Sequence, residues 1–130
     1  MNSKLIMSLT AIFLAVIGVS LTFAPDNVLA LSGITDSAVL RLIIQLLGAV
    51  YFAFAMLNWM AKGAIIGGIY NRPIATANLS HFLIGGIALT KAAFKNHQLP
   101  VIFLILAVLY TVGACAFGLL ISRHPRTATT

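Results

Sequence analysis

Acidic residues are nearly absent from this chain: Asp26 and Asp36 are the only two, against eight lysines and arginines. Charged side chains make up only 8% of the residues, where a soluble domain usually carries about 25%. A water-facing surface cannot be assembled from so few. The scarcity of carboxylates also removes chemistry. No Asp or Glu falls within an apolar run, which excludes the embedded carboxylate that small multidrug transporters use to exchange protons with their substrate. No Ser-His-Asp arrangement can be proposed either, because nothing acidic is at hand to orient a histidine.

Cysteine is equally scarce. Cys115 is the single one, so neither an intrachain disulfide nor a CxxC redox pair can form, and its expected role is that of a small buried packing residue. The three histidines are His81, His97 and His124. Only His81 lies well inside an apolar run, so a bis-histidine haem site within one chain is not expected. No metal constellation is visible, and no cofactor is expected. The GGxxGAxxR and TTFSTF runs of a small fluoride channel are missing as well. The net charge of +6 comes from cations standing singly at the edges of apolar runs, without a basic patch interleaved with aromatics. That pattern fits lipid headgroups and topology signals, not nucleic acid.

What the chain has in abundance is apolar length: 61% of its 130 residues are hydrophobic. A membrane-crossing helix needs about 20 apolar residues at roughly 1.5 Å each, and four stretches qualify. They are Leu5–Phe23, Leu42–Met60, Ile74–Phe94 and Val101–Ile121. The first is long for a signal-peptide core and reads as a true span. The prediction is an all-α integral membrane protein, four transmembrane helices in an up-down-up-down bundle forming one domain. With the N-terminus in the cytoplasm, the inner side carries Lys4, Lys62, Arg72, Arg123 and Arg126 and the outer side Arg41, Lys91 and Lys95. The positive-inside rule then places both termini in the cytoplasm.

The connections are short. Asn27–Leu31 is apolar enough to lie on the outer surface as a short helix stopped by Gly33, with Thr35 or Ser37 capping the second span. Residues 61–73 read as a turn at the interface, with Trp59 and Tyr70 in the headgroup belt, and residues 95–100 as a tight hairpin. Each span carries a stripe of small or polar residues suited to helix contact. The stripes are Ser8, Ala11, Ala15, Gly18 and Thr22; then Gln45, Gly48, Phe52 and Ala55; then Asn78, His81, Gly85, Ala88 and Ala92; and Ala107, Thr111, Ala114 and Gly118.

Two polar groupings carry the candidate sites. Asn58 and Asn78 fall within roughly 6 Å of the inner boundary, with Tyr51 and His81 deeper, at roughly 10–14 Å. Tyr51 shares a face with Asn58, and Asn78 with His81, so the four can converge between the second and third spans. They form either a pocket for a headgroup or small ligand, with His81 as its titratable member, or hydrogen-bonded glue between helices. On the outer side Arg41, Gln45 and Lys91 either snorkel beside Asp26 and Asp36 or contact an anionic lipid or partner.

The run Phe23-Ala24-Pro25, Arg41 with Gly48, Asn71-Arg72-Pro73 and then Asn78 resembles small bacterial four-helix membrane proteins, the DoxX-like group and a similar group of unassigned function. That resemblance implies a redox or membrane-subunit role in a bacterial cytoplasmic membrane and transfers no catalytic residue. Three functions are ranked in order: a structural or accessory subunit of a larger membrane complex; a binder or carrier of a small apolar or lipid-like molecule; and a lipid-modifying enzyme. The expected partners are membrane lipids and either a larger membrane complex or further copies of the chain in a homo-oligomer; nucleic acid is not expected.

Overall fold

A computed structural model describes residues 2–35, 37–63 and 71–122. Among them the structure is all-α, with no strand. Five helices follow in order: α1 (Ser3–Phe23), α2 (Pro25–Ser32), α3 (Ala38–Ala61), α4 (Asn71–Lys95) and α5 (Val101–Ser122). All but α2 are long and apolar enough to cross a membrane. The shortest of these four has 21 residues and the longest 25, so each exceeds the roughly 20 needed for a hydrocarbon core of about 30 Å. Helix is the expected answer there, since every backbone N–H and C=O must be satisfied inside its own segment.

The helix ends are set by local chemistry. Pro25 begins α2, where its missing N–H costs nothing. Gly33 ends it in the left-handed conformation, φ 66°, which glycine adopts without a Cβ penalty. The Ser37 hydroxyl then accepts from the Leu40 N–H at 3.1 Å, capping α3 as a serine at this position should. Thr35 has no such role, and Asp36 lies outside the described residues. The α4–α5 turn is held by the Asn96 side chain, which accepts from the Gln98 N–H at 3.1 Å. It is also held by the Leu99 N–H donating to the Asn96 carbonyl at 3.3 Å. At the other end of the second span, the Lys62 ammonium sits over the Trp59 ring, a pairing suited to the headgroup region. The expected places of Gly67, Gly68, Tyr70, Arg123, His124 and Arg126 lie outside the described residues.

The chain divides into two compact units, Leu5–Lys62 and Met1–Lys4 with Gly63–Thr130. In the first, α1 and α3 run antiparallel and meet backbone to backbone. A Cβ placed on Gly18 would stand 2.7 Å from the Phe52 nitrogen, and one on Gly48 would stand 2.8 Å from the Gly18 carbonyl. Only glycine at both positions permits this approach, which is how helices associate where lipid supplies no hydrophobic drive.

The second unit is the antiparallel pair α4–α5, and it packs differently. Here rings fill the space that glycine leaves. A Cβ on Gly85 would meet the Tyr110 ring at 2.5 Å, and one on Gly113 would meet the Phe82 ring at 2.8 Å. Phe82 stands edge-on to Tyr110, with centroids 5.2 Å apart. It also stacks on Phe117 at 5.9 Å; edge-to-face and displaced stacked pairs are the arrangements that aromatic quadrupoles favour.

The small-residue stripes are therefore only partly the buried faces. In α1, Ala11 and Gly18 are buried, but Met7, Thr10 and Leu14 join them. In α3, Gly48 and Ala55 are buried, whereas the Phe52 side chain is exposed and only its backbone faces Gly18. In α4, Ala88 and Ala92 are exposed, and Ala75 and Phe82 lie inside. In α5 the buried set is Ala107, Tyr110, Phe117 and Leu120, with Thr111 outside. Cys115 is exposed, not buried. It follows Tyr110 by five residues, which carries it well around the helix from the inward face.

Candidate functional site

Within the spans, several polar side chains are tied into their own helices or an adjacent one. Asn58 and Asn78 are both fully buried. The Asn58 amide donates to the Phe54 carbonyl at 2.9 Å, and the Asn78 amide donates to the Ile74 carbonyl at 2.8 Å. Each is a bond back one turn, made without help from another element. Hydroxyls do the same: Ser20 donates to the Val16 carbonyl and Thr111 to the Ala107 carbonyl, each at 2.8 Å. An unsatisfied polar group in hydrocarbon costs several kcal/mol, and this backbonding removes that cost locally.

Of the four residues expected to converge, Tyr51 and Asn58 stand on α3 in the first unit. Asn78 and His81 stand on α4 in the second. Tyr51 is half-buried. His81 has a partner that the sequence reading missed: its Nε2 lies 3.1 Å from the Tyr110 hydroxyl on α5. The two rings are tilted at 49° with centroids 5.2 Å apart, and Phe82 packs on both. A signal for it existed. Tyr110 is the one tyrosine of the last span, and Gly85-Gly86 provides the gap its ring requires.

The outer residues are also distributed. Arg41 lies one turn inside α3, and its Nε is 2.8 Å from an Asp26 carboxylate oxygen at the start of α2. Asp26 also occupies the first turn of α2, where a negative charge favours the helix N-terminus. The Gln45 amide donates to the Thr22 carbonyl at 3.3 Å, joining α3 to the end of α1. Lys91 belongs to the second unit, where it lines a surface depression between α4 and α5.

Among the described residues no group of three or more His, Cys, Asp or Glu side chains could hold a metal ion. Among the described residues four helices are long and apolar enough to cross the bilayer, as in a membrane protein, and Ser20, Gln45, Asn58, Asn78, His81 and Thr111 hydrogen-bond to the protein's own backbone or side chains. No family model, curated protein or solved structure matches the chain.

Proposed function

We propose that this protein is a small structural or accessory subunit that associates with a larger membrane assembly in a bacterial cytoplasmic membrane, with both termini in the cytoplasm. The carrying observation is where the polar atoms go. Asn58 and Asn78 bond to their own helices, His81 bonds to Tyr110 and Gln45 bonds to the end of α1. The bonds of His81 to Tyr110 and of Gln45 to the end of α1 each join two helices, while the asparagine bonds satisfy their own segments. The cation distribution, five against three across the four spans, supports the orientation.

Extraction of the tagged protein from its native membrane in a mild detergent, followed by native electrophoresis and light scattering, tests the reading. The expected result is migration with a heavier assembly of defined composition. A protein that always runs alone at the mass of one chain, 13.8 kDa plus its detergent, overturns it. Cysteine labelling at Gln98, in the α4–α5 turn, tests the orientation. Modification by a membrane-impermeant reagent from the outer face only is expected, and modification from the cytoplasmic face only reverses the assignment.

A further inference from the structure

The second unit carries a feature that the polar network does not use. Two depressions of about 540 and 440 Å³ lie side by side between α4 and α5. They share Thr90, Phe94 and Thr111, so they form one furrow. Apart from Lys91, His97 and a few hydroxyl and sulfur groups, its walls are aliphatic and aromatic. From Leu83 to Phe94 it follows α4 for about 17 Å at the helix rise, comparable with one leaflet's share, about 15 Å, of the hydrocarbon core.

Charge distinguishes this furrow from an ordinary lipid-facing surface. Lys91 lines one part and His97 the other, with Lys95 in the last turn of α4. From Gly63 onward the sequence contains no aspartate or glutamate. Arg41, on the first unit, is paired with Asp26; Lys91 and Lys95 have no ion-pair partner among the described residues. An apolar channel about as long as a leaflet is deep, with cations gathered toward one end and no acid in its own unit, is complementary to an anionic amphiphile. The hydrocarbon tail fits the walls and the phosphate meets the ammonium groups. A partner helix in the same place would have to bring its own acid to the membrane edge, whereas a bilayer supplies phosphate there already.

We infer that the α4–α5 furrow binds an anionic phospholipid, with the phosphate at Lys91 and Lys95 and one acyl chain entering past Thr90 and Thr111 and running along Leu83, Ile87 and Ala114. The inference concerns a lipid on this unit and holds whether or not the protein is a subunit of something larger.

Native mass spectrometry after reconstitution into bilayers of equal phosphatidylglycerol and phosphatidylcholine tests it. The wild-type protein is expected to retain phosphatidylglycerol preferentially. Replacing both lysines, Lys91→Gln with Lys95→Gln, is expected to reduce that preference by about five-fold for each charge removed. Thr111→Phe, which places a ring at the junction of the two depressions, is expected to displace both lipids while circular dichroism and melting stay unchanged. Equal retention of the two lipids by the wild type overturns the inference, as does an undiminished preference in the lysine double variant or unaltered retention in Thr111→Phe. If Thr111→Phe instead releases a co-purifying protein from native membranes and leaves lipid selectivity intact, the furrow belongs to a partner chain and the lipid assignment fails.

Discussion

The two units solve one problem by opposite means. In Leu5–Lys62 the α1–α3 contact is made by removing side chains, so that Gly18 and Gly48 bring two backbones together. In α4–α5 it is made by inserting side chains, with Tyr110 against Gly85 and Phe82 against Gly113. The charges follow the same division. Both acids of the protein lie in the first unit, and one of them holds Arg41. From Gly63 onward every charged residue is a lysine or arginine. Where lipid offers no hydrophobic drive, close backbone packing and ring packing are alternative sources of dispersion energy, and they fail differently when altered.

The largest expected effect comes from breaking the backbone contact. Gly48→Leu forces its Cβ against the Gly18 carbonyl and the Thr22 nitrogen, both at 2.8 Å, and backbone cannot rotate away. A loss of about 3 kcal/mol or more is expected, read as the unfolding midpoint in mixed micelles of mild detergent and dodecyl sulfate. Gly85→Ala meets only the Tyr110 ring and should cost about 1 kcal/mol; equal losses at the two sites would erase the distinction between the units. Next in size, Phe117→Ala should cost about 2 kcal/mol. That is less than the 3–5 kcal/mol typical of a soluble core, because the bilayer withholds the transfer term. Tyr110→Phe should cost about 0.6–1.7 kcal/mol through the lost bond to His81. Combined with His81→Ala it should cost less than the two single changes together, as a shared interaction requires. The smallest effect is expected on the first unit's surface. Asp26 and Arg41 are both substantially exposed, so Asp26→Asn should change stability by less than about 0.5 kcal/mol and fade further with added salt.

The spans were legible because length and hydropathy alone decide them. Leu5–Phe23 and Val101–Ile121 differ from α1 and α5 by two residues or fewer. The second and third spans begin earlier than their apolar runs, at Ala38 and Asn71, because a helix cap and a proline-tolerant first turn, not hydropathy, set where the backbone begins to coil. Gly33 and Ser37 could be read as punctuation for the same reason. Facing was less legible. Composition marks Ala88, Ala92 and Thr111 as contact residues, yet the aromatic packing of α4 on α5 turns each helix so that Phe82, Tyr110 and Phe117 point inward instead. Tyr110 was overlooked as a partner for His81 because its hydroxyl counts for little in an apolar run. The burial of Cys115 failed on that same rotation.

The two buried asparagines have a consequence for how the chain enters the membrane. A polar amide that depends on a neighbouring helix is unsatisfied until that neighbour arrives. Asn58 and Asn78 each carry an acceptor one turn back in the same segment, so part of their hydrogen-bonding demand is already met when α3 or α4 leaves the translocon alone. Insertion can then proceed helix by helix, with assembly following as a separate event, and the order of synthesis need not match the order of packing.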